Sequence, residues 1–308
     1  MKVVTLTLNP ALDKSAKVDG IVPDHNLNCH TISYQPGGGG INISRLLHRL
    51  VSISNCFFPF GGNSGSYLNE LLLKKNIQTQ SIPIKSWTRE NLSVIDTKTG
   101  FQFRFGMPGN TISASELSEI EATLEKLLDD NDILVLSGSL AENIPTDYYA
   151  KLVRHFSYKN LKTVIDTSGL ALKETLKENV YLIKPNQREL AQLSGKDFLS
   201  SAEEEVFALE LIKSQKVKYA VVSIEAGGAF IASEDGIAYQ ATPTVLVKCT
   251  IGAGDSMVAG LIYAIQNNCS VATILIWSVA CGVAATMSEG TDLAHKENID
   301  TVFTMSNN

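Results

Sequence analysis

Apolar residues in this chain fall into short, near-continuous runs separated by longer stretches with helical spacing. Residues 3–8, with Val3, Val4, Leu6 and Leu8, predict a strand. Residues 41–50 place Ile41, Ile43, Leu46, Leu47 and Leu50 at the spacing of one helix face. Apolar runs at 133–136, 164–165, 181–183 and 219–222 predict further strands, with helix-like stretches at 116–128, 146–155 and 201–213 between them. Alternation of this kind, with strands apolar throughout, predicts a mostly parallel sheet covered by helices on both faces. Such a sheet binds ligands beyond the carboxyl ends of its strands. The loops expected there, 9–13, 137–140, 166–169 and 184–189, hold most of the candidate polar residues. Two stretches, 15–34 and 92–105, break the alternation with period-two patterns and no helix between strands. In the second, Ser93-Val94-Ile95-Asp96-Thr97, a Lys98-Thr99-Gly100 turn and Phe101-Gln102-Phe103-Arg104-Phe105 predict a hairpin. Both stretches are expected to form a small β-sheet, a lid or dimer surface, with strands within about 14–35 and 90–107.

Composition narrows the classes. The 308 residues, 44% hydrophobic and 19% charged, suffice for one large core or two small ones. With no linker, repeat or low-complexity segment, one domain spanning 1–308 is expected. A net charge of −6 speaks against a broad basic surface for nucleic acid, but not against one basic pocket for an anionic metabolite. Five cysteines without a C-x-x-C pair imply neither a disulfide framework nor a zinc site, and fit reduced thiols in the cytoplasm. The first strand meets Asn9-Pro10 too soon for a signal sequence. The longest apolar stretch, 271–287, carries Thr273, Ser278 and Thr286 and predicts a buried helix rather than a membrane span.

The candidate chemistry lies in three motifs. Gly252-Ala253-Gly254-Asp255 precedes a helix expected from Ser256 onward. Small residues let backbone N–H groups approach an anion at a positive helix end. Asp255 would repel a merely bound phosphate, but suits a phosphoryl group in transfer if it takes the proton of the attacking hydroxyl. A plain N-capping Asp is the competing reading. Pro36-Gly37-Gly38-Gly39-Gly40-Ile41-Asn42 is neither a Walker A nor a dinucleotide fingerprint. It could read a polyhydroxyl ligand through amides, or be a flexible connection. Lys184-Pro185-Asn186-Gln187-Arg188-Glu189 sets Asn186 and Glu189 on one helical turn, as a hydrated Mg²⁺ site, a capping box or both. Asp13 after the first strand suits sugar hydroxyls or a turn, and Arg89 and Arg104 are candidate phosphate clamps.

Together with Leu6-Thr7-Leu8-Asn9-Pro10-Ala11-Leu12-Asp13 and Ser137-Gly138-Ser139-Leu140, these motifs resemble the ribokinase-like (PfkB-type) sugar kinases over essentially the whole chain. Within the family, Gly37–Gly40, Trp87-Thr88-Arg89-Glu90-Asn91 and Phe103-Arg104-Phe105-Gly106-Met107-Pro108-Gly109 most resemble the bacterial minor 6-phosphofructokinase branch. The resemblance implies an α/β, ribokinase-like three-layer Rossmann-type core with a β-sheet lid that also forms a homodimer. It implies that Asp255 deprotonates the 1-hydroxyl of fructose 6-phosphate for in-line attack on ATP, with Gly252, Ala253 and Gly254 forming the anion hole. Asp13, Gly38, Gly39 and Asn42 would hold the sugar, with Arg89, Ser139 and Arg104 toward its phosphate. Lys184, Asn186, Glu189, Ser223, Gly228, Gly254 and Ser288 would serve MgATP, Glu189 meeting Mg²⁺ through water. K⁺ is a further expected cofactor. Other branches imply 1-phosphofructokinase or tagatose-6-phosphate kinase activity, and a non-catalytic sugar-phosphate sensor is a distant alternative. The departures are Asn26 and Asn28, where relatives carry Lys and Arg toward the sugar phosphate; Glu225 in a turn usually rich in glycine; and Cys249, Ser288 and Asp292 around the cation site.

Overall fold

The computed structural model describes residues 1–290 and 292–307. Its largest feature is a nine-stranded sheet. β1 (Val3–Leu6) lies inside it, with β4 (Ser54–Phe60) and β5 (Thr79–Pro83) on one side. On the other side follow β8 (Ile133–Ser137), β9 (Lys162–Asp166), β10 (Val180–Ile183) and β11 (Val217–Ser223). All these pair in parallel, whereas the antiparallel β12 (Ala229–Ser233) and β13 (Gly236–Gln240) finish that edge.

The central strands are apolar throughout because both faces are covered. Along β1, Val3 packs with α1 (Gly39–Arg49), α8 (Ala253–Gln266), α9 (Val271–Thr286) and α10 (Lys296–Ser306). Val4 and Leu6 point the other way, into the layer of α3 (Ala114–Leu127), α4 (Tyr148–His155), α5 (Gly169–Thr175), α6 (Gln187–Ser194) and α7 (Ser201–Lys213). α2 (Gly62–Lys74) sets Leu68 and Leu72 on Cys56 and Phe58 of β4. The predicted apolar stretch at 271–287 is the buried helix α9, and no helix among the described residues is long and apolar enough to cross a membrane.

The two interruptions form a second sheet of four strands in the order β3-β2-β6-β7, built from β2 (Ala11–Val18), β3 (His30–Gly37), β6 (Arg89–Asp96) and β7 (Gln102–Phe105). The predicted hairpin is β6–β7, with Ser93 opposite Arg104. β2 and β6 run parallel despite their separation in sequence, which sets Asn91 opposite Asp13 and Arg89 opposite Ala11. Neither this pairing nor the β4–α2–β5 unit is readable from periodicity. One boundary differs in a way that matters: α8 begins at Ala253, three residues before the expected start, with Gly252 as its N-cap.

Candidate active site

Ser137, Asp166, Lys184 and Ser223 stand in a row because β8, β9, β10 and β11 are adjacent strands and each residue lies at or just past a strand end. The first turn of α8 starts against this row; a Cβ built on Gly254 would lie 3.5 Å from Lys184 Nζ. Asp255 is therefore the third residue of the helix rather than its cap, and its side chain is free to face outward from the helix end. Ala253 N reaches back to Thr250 O at 3.4 Å, and Ser256 N is bonded to Gly252 O at 2.9 Å. The N–H groups of Gly254 and Asp255 between them point out of the positive end of the helix.

Asp255 Oδ2 accepts a hydrogen bond from Asn42 Nδ2 on α1 at 2.8 Å. Burial and the neighbouring Asp166 push the Asp255 carboxyl up to about 6, with a smaller push from Asp13, against the Asn42 bond and Lys184. Lys184 is buried and pairs with Asp166 at 3.3 Å, while Ser137 Oγ donates to the other Asp166 oxygen at 2.9 Å. Burial alone would lower the Lys184 pKa, but Asp166, Glu189 and Asp255 outweigh it and hold the ammonium charged. At the start of α6 the capping box exists: Asn186 Oδ1 accepts from Glu189 N at 2.8 Å, and Glu189 Oε2 accepts from Asn186 N at 2.9 Å.

On the lid side, the glycine cluster brings backbone against polar side chains. A Cβ on Gly37 would sit 2.1 Å from Asp13 Oδ2, and one on Gly39 would sit 2.2 Å from Ser137 Oγ, so a side chain at either position would push aside the polar group it faces. Asp13 Oδ1 accepts from Asn91 Nδ2 at 2.8 Å, and burial raises its pKa against Asn91, Arg89 and Arg45. Arg89 donates to Asn9 O at 3.2 Å, and Asn9 Nδ2 donates to Ser139 Oγ at 3.0 Å. Arg89 Nε and Asn9 Oδ1 have no partner among the described residues, as befits groups kept for a ligand or an ordered water. Beside α8 opens a cavity of about 830 Å³, bordered by Ser223, Gly228, Val245, Gly254, Val283 and Thr286, roomy enough for a small-molecule ligand.

The sequence matches the pfkB family carbohydrate kinases over residues 6–298. The chain belongs to this family. It is 33% identical over 304 residues to the ATP-dependent 6-phosphofructokinase isozyme 2 of Escherichia coli, covering 98% of each chain. It is 32% identical over 290 residues to the 1-phosphofructokinase of Bacillus subtilis, covering 93% of each. Crystal structures of the Escherichia coli phosphofructokinase-2 with potassium, and with substrates and products, superpose with a TM-score of 0.96 at 32% identity and cover 100% of this chain and 99% and 100% of theirs. The three-layer core with its small second sheet is the ribokinase-like architecture of these kinases.

In this pfkB kinase the fold sets Asn42, Lys184 and Asp13 around Asp255, while Arg89 and Ser139 meet through Asn9. Two expected residues are placed differently. Arg104 is exposed on β7 and donates to Gln102 of its own strand at 3.1 Å. Ser288 is buried and donates to Leu293 O at 3.2 Å, leaving Thr286 to border the cavity. The motifs did not single out Asp166, Asn9, Asn91 or Arg45. For Asp166 a signal existed, an acidic residue closing an apolar run at a strand's carboxyl end. The other three are legible only once the sheets are paired and α1 is docked.

Proposed function

We propose that this pfkB kinase is an ATP-dependent 6-phosphofructokinase, making fructose 1,6-bisphosphate from fructose 6-phosphate. The observation that carries the reading is Asp255: a carboxylate with its pKa pushed to about 6, on the first turn of a helix whose N–H groups face the same space, with Asp13 and Asn42 on one side and a nucleotide-sized cavity on the other. A base of that pKa is ionised at neutral pH yet accepts a proton readily. In the proposed reaction Asp255 takes the proton of the 1-hydroxyl as its oxygen attacks the γ-phosphorus; the bond to the bridging oxygen breaks and ADP leaves. The N–H groups of Gly254 and Asp255 offset charge on the transferring group. Lys184 lies beside them as the buried cation. Asp13, Gly38, Gly39 and Asn42 hold the sugar, Arg89 and Ser139 its phosphate, and Ser223 and Gly228 the nucleotide.

The residues present fit a magnesium ion held through water. The capping box uses Asn186 Oδ1 and Glu189 Oε2 but not Glu189 Oε1, and the Asp166 carboxylate is close enough to raise the Glu189 pKa together with burial. A hydrated Mg²⁺ bound with ATP neutralises phosphate charge. Of the side chains that differ around the family's potassium site, Asp292 accepts from Arg49 at 2.7 Å and pairs with His295 at 2.9 Å, while Ser288 donates to Leu293 O. No step is assigned to K⁺. The proposal also takes 1–308 as one kinase domain and the lid as a homodimer surface, and five free cysteines support a reducing cytoplasmic setting.

A coupled assay with ATP and fructose 6-phosphate, fructose 1-phosphate or tagatose 6-phosphate tests the substrate. Fructose 6-phosphate is expected to give the highest kcat/KM. Preference for another sugar phosphate would replace the substrate assignment, and ligand binding without turnover would point to a sensor.

A further inference from the structure

Arg45 lies on α1, one turn beyond Asn42, and is 3% exposed. A guanidinium so deeply buried ordinarily pairs with a carboxylate. Here its hydrogen bonds go to neutral acceptors: to Pro36 O at 2.7 Å, to Asn42 Oδ1 at 2.9 Å and to Gln35 Oε1 at 2.8 Å. Gln35 and Pro36 belong to the lid strand β3, and Asn42 is the residue that donates to Asp255. One side chain thus ties the lid strand, the helix α1 and the carboxylate on α8 into a single chain of hydrogen bonds.

The Asn42 amide has two orientations that differ by a half-turn. With its oxygen held by Arg45, the nitrogen faces Asp255; reversed, the amide oxygen would face the carboxylate and repel it. A hydrogen bond to the ionised form of an acid favours that form. We infer that Arg45 is a positioning residue for the base: it fixes the Asn42 amide so that Asp255 stays ionised and aimed, and couples that arrangement to the lid through Pro36 and Gln35. The inference rests on the reading of Asp255 as the catalytic base.

The surrounding charges are accounted for. Burial first and Arg49 on the same helix next bring the Arg45 pKa down to about 10, against the opposing pull of Asp292, Asp13 on β2 and Cys56 on β4, so Arg45 remains charged at neutral pH. Lys75, just past α2, shares Gln35 with it at 3.1 Å and has a lowered pKa, from burial first and Arg45 next. Facing Asp255 are Asp166 from β9, Lys184 from β10 and Asp13 from β2, none of which Arg45 touches.

The test is the pH profile of kcat/KM for the phosphorylated sugar, whose acidic limb reports the base in the free enzyme. Arg45→Met is expected to move that limb upward by about half to one pH unit and to lower kcat with little change in the KM for ATP. Arg45→Lys keeps the charge but not the planar fork, and should move the limb less. Because Arg45 acts through Asn42, Arg45→Met added to Asn42→Ala should move the limb no further than Asn42→Ala alone. A limb at the wild-type position in folded Arg45→Met, or additive shifts in the double variant, overturns the inference. Should Arg45→Met fail to unfold cooperatively on heating, Arg45→Lys replaces it in both comparisons, with the smaller upward shift expected and the same results overturning it. Asp255→Asn run in parallel separates the two readings. Turnover in that variant removes the base itself, whereas an inactive Asp255→Asn with an unmoved Arg45 limb removes only the role of Arg45.

Discussion

At the scale of single residues, Asp255 combines two opposed demands. Its environment raises the pKa to about 6, so ionising it costs the folded state more than the unfolded chain. That cost is absent below the unfolded value and complete above about pH 6. Asp255→Asn is therefore expected to raise the Tm at pH 8 while cutting kcat by roughly 10²–10⁴, with ATP still bound in calorimetry. The wild-type kcat/KM should fall as pH drops through about 6, as the base becomes protonated. Glu225 poses a different residue-scale conflict. It borders the cavity beside α8 and holds φ at 39°, a region where glycine is favoured. Glu225→Gly removes both the backbone strain and a carboxylate at the cavity wall, so a higher Tm and a lower KM for ATP are expected from thermal unfolding and initial-rate kinetics. Asn28 lies exposed between the first two lid strands. Asn28→Arg restores a positive charge there, and steady-state kinetics should show a lower KM for the sugar phosphate.

At the scale of elements, the site depends on how closely β3 and α1 approach their neighbours. The Gly37 position leaves no room for a methyl group beside Asp13. Gly37→Ala should displace the Asp13 carboxylate, since the side-chain end can move where backbone cannot. The expected result is a sugar KM raised by about tenfold or more, in line with the cost of misplacing a binding group, with the ATP KM nearly unchanged. Helix starts also matter. The sequence places the start of this helix at Ser256, but α8 begins at Ala253; its first turn is small and polar, so no apolar periodicity marks the position where Asp255 sits. The reading of Asn186 and Glu189 as a capping box was open in sequence because a cap and a water-mediated ion site ask for the same spacing. The structure contains the cap, and a carboxylate oxygen remains outside it.

At the scale of the molecule, the four-stranded sheet exposes Ile32, Phe101, Phe103 and Phe105. Exposed apolar side chains on both edge strands of one small sheet and just before β7 fit a surface that is covered in an assembly. Sedimentation should find a dimer, and Phe103→Glu with Ile32→Glu should shift it to monomer and lower activity on the sugar phosphate more than affinity for ATP. The α/β class, the interrupted second sheet, the buried helix near the C-terminal end and the motif residues Asp13, Asn42, Lys184 and Asp255 are legible in the amino-acid sequence alone. Those features depend on local periodicity and on residue types whose chemistry is special wherever they stand. It took the three-dimensional fold to pair β2 with β6, to set Asn91 against Asp13, to join Arg89 and Ser139 through Asn9, and to place a buried arginine on the oxygen of the Asn42 amide whose nitrogen donates to Asp255. These contacts join residues far apart in sequence or hinge on the direction of one side chain. Their existence follows from strand register and helix docking, which no local pattern encodes.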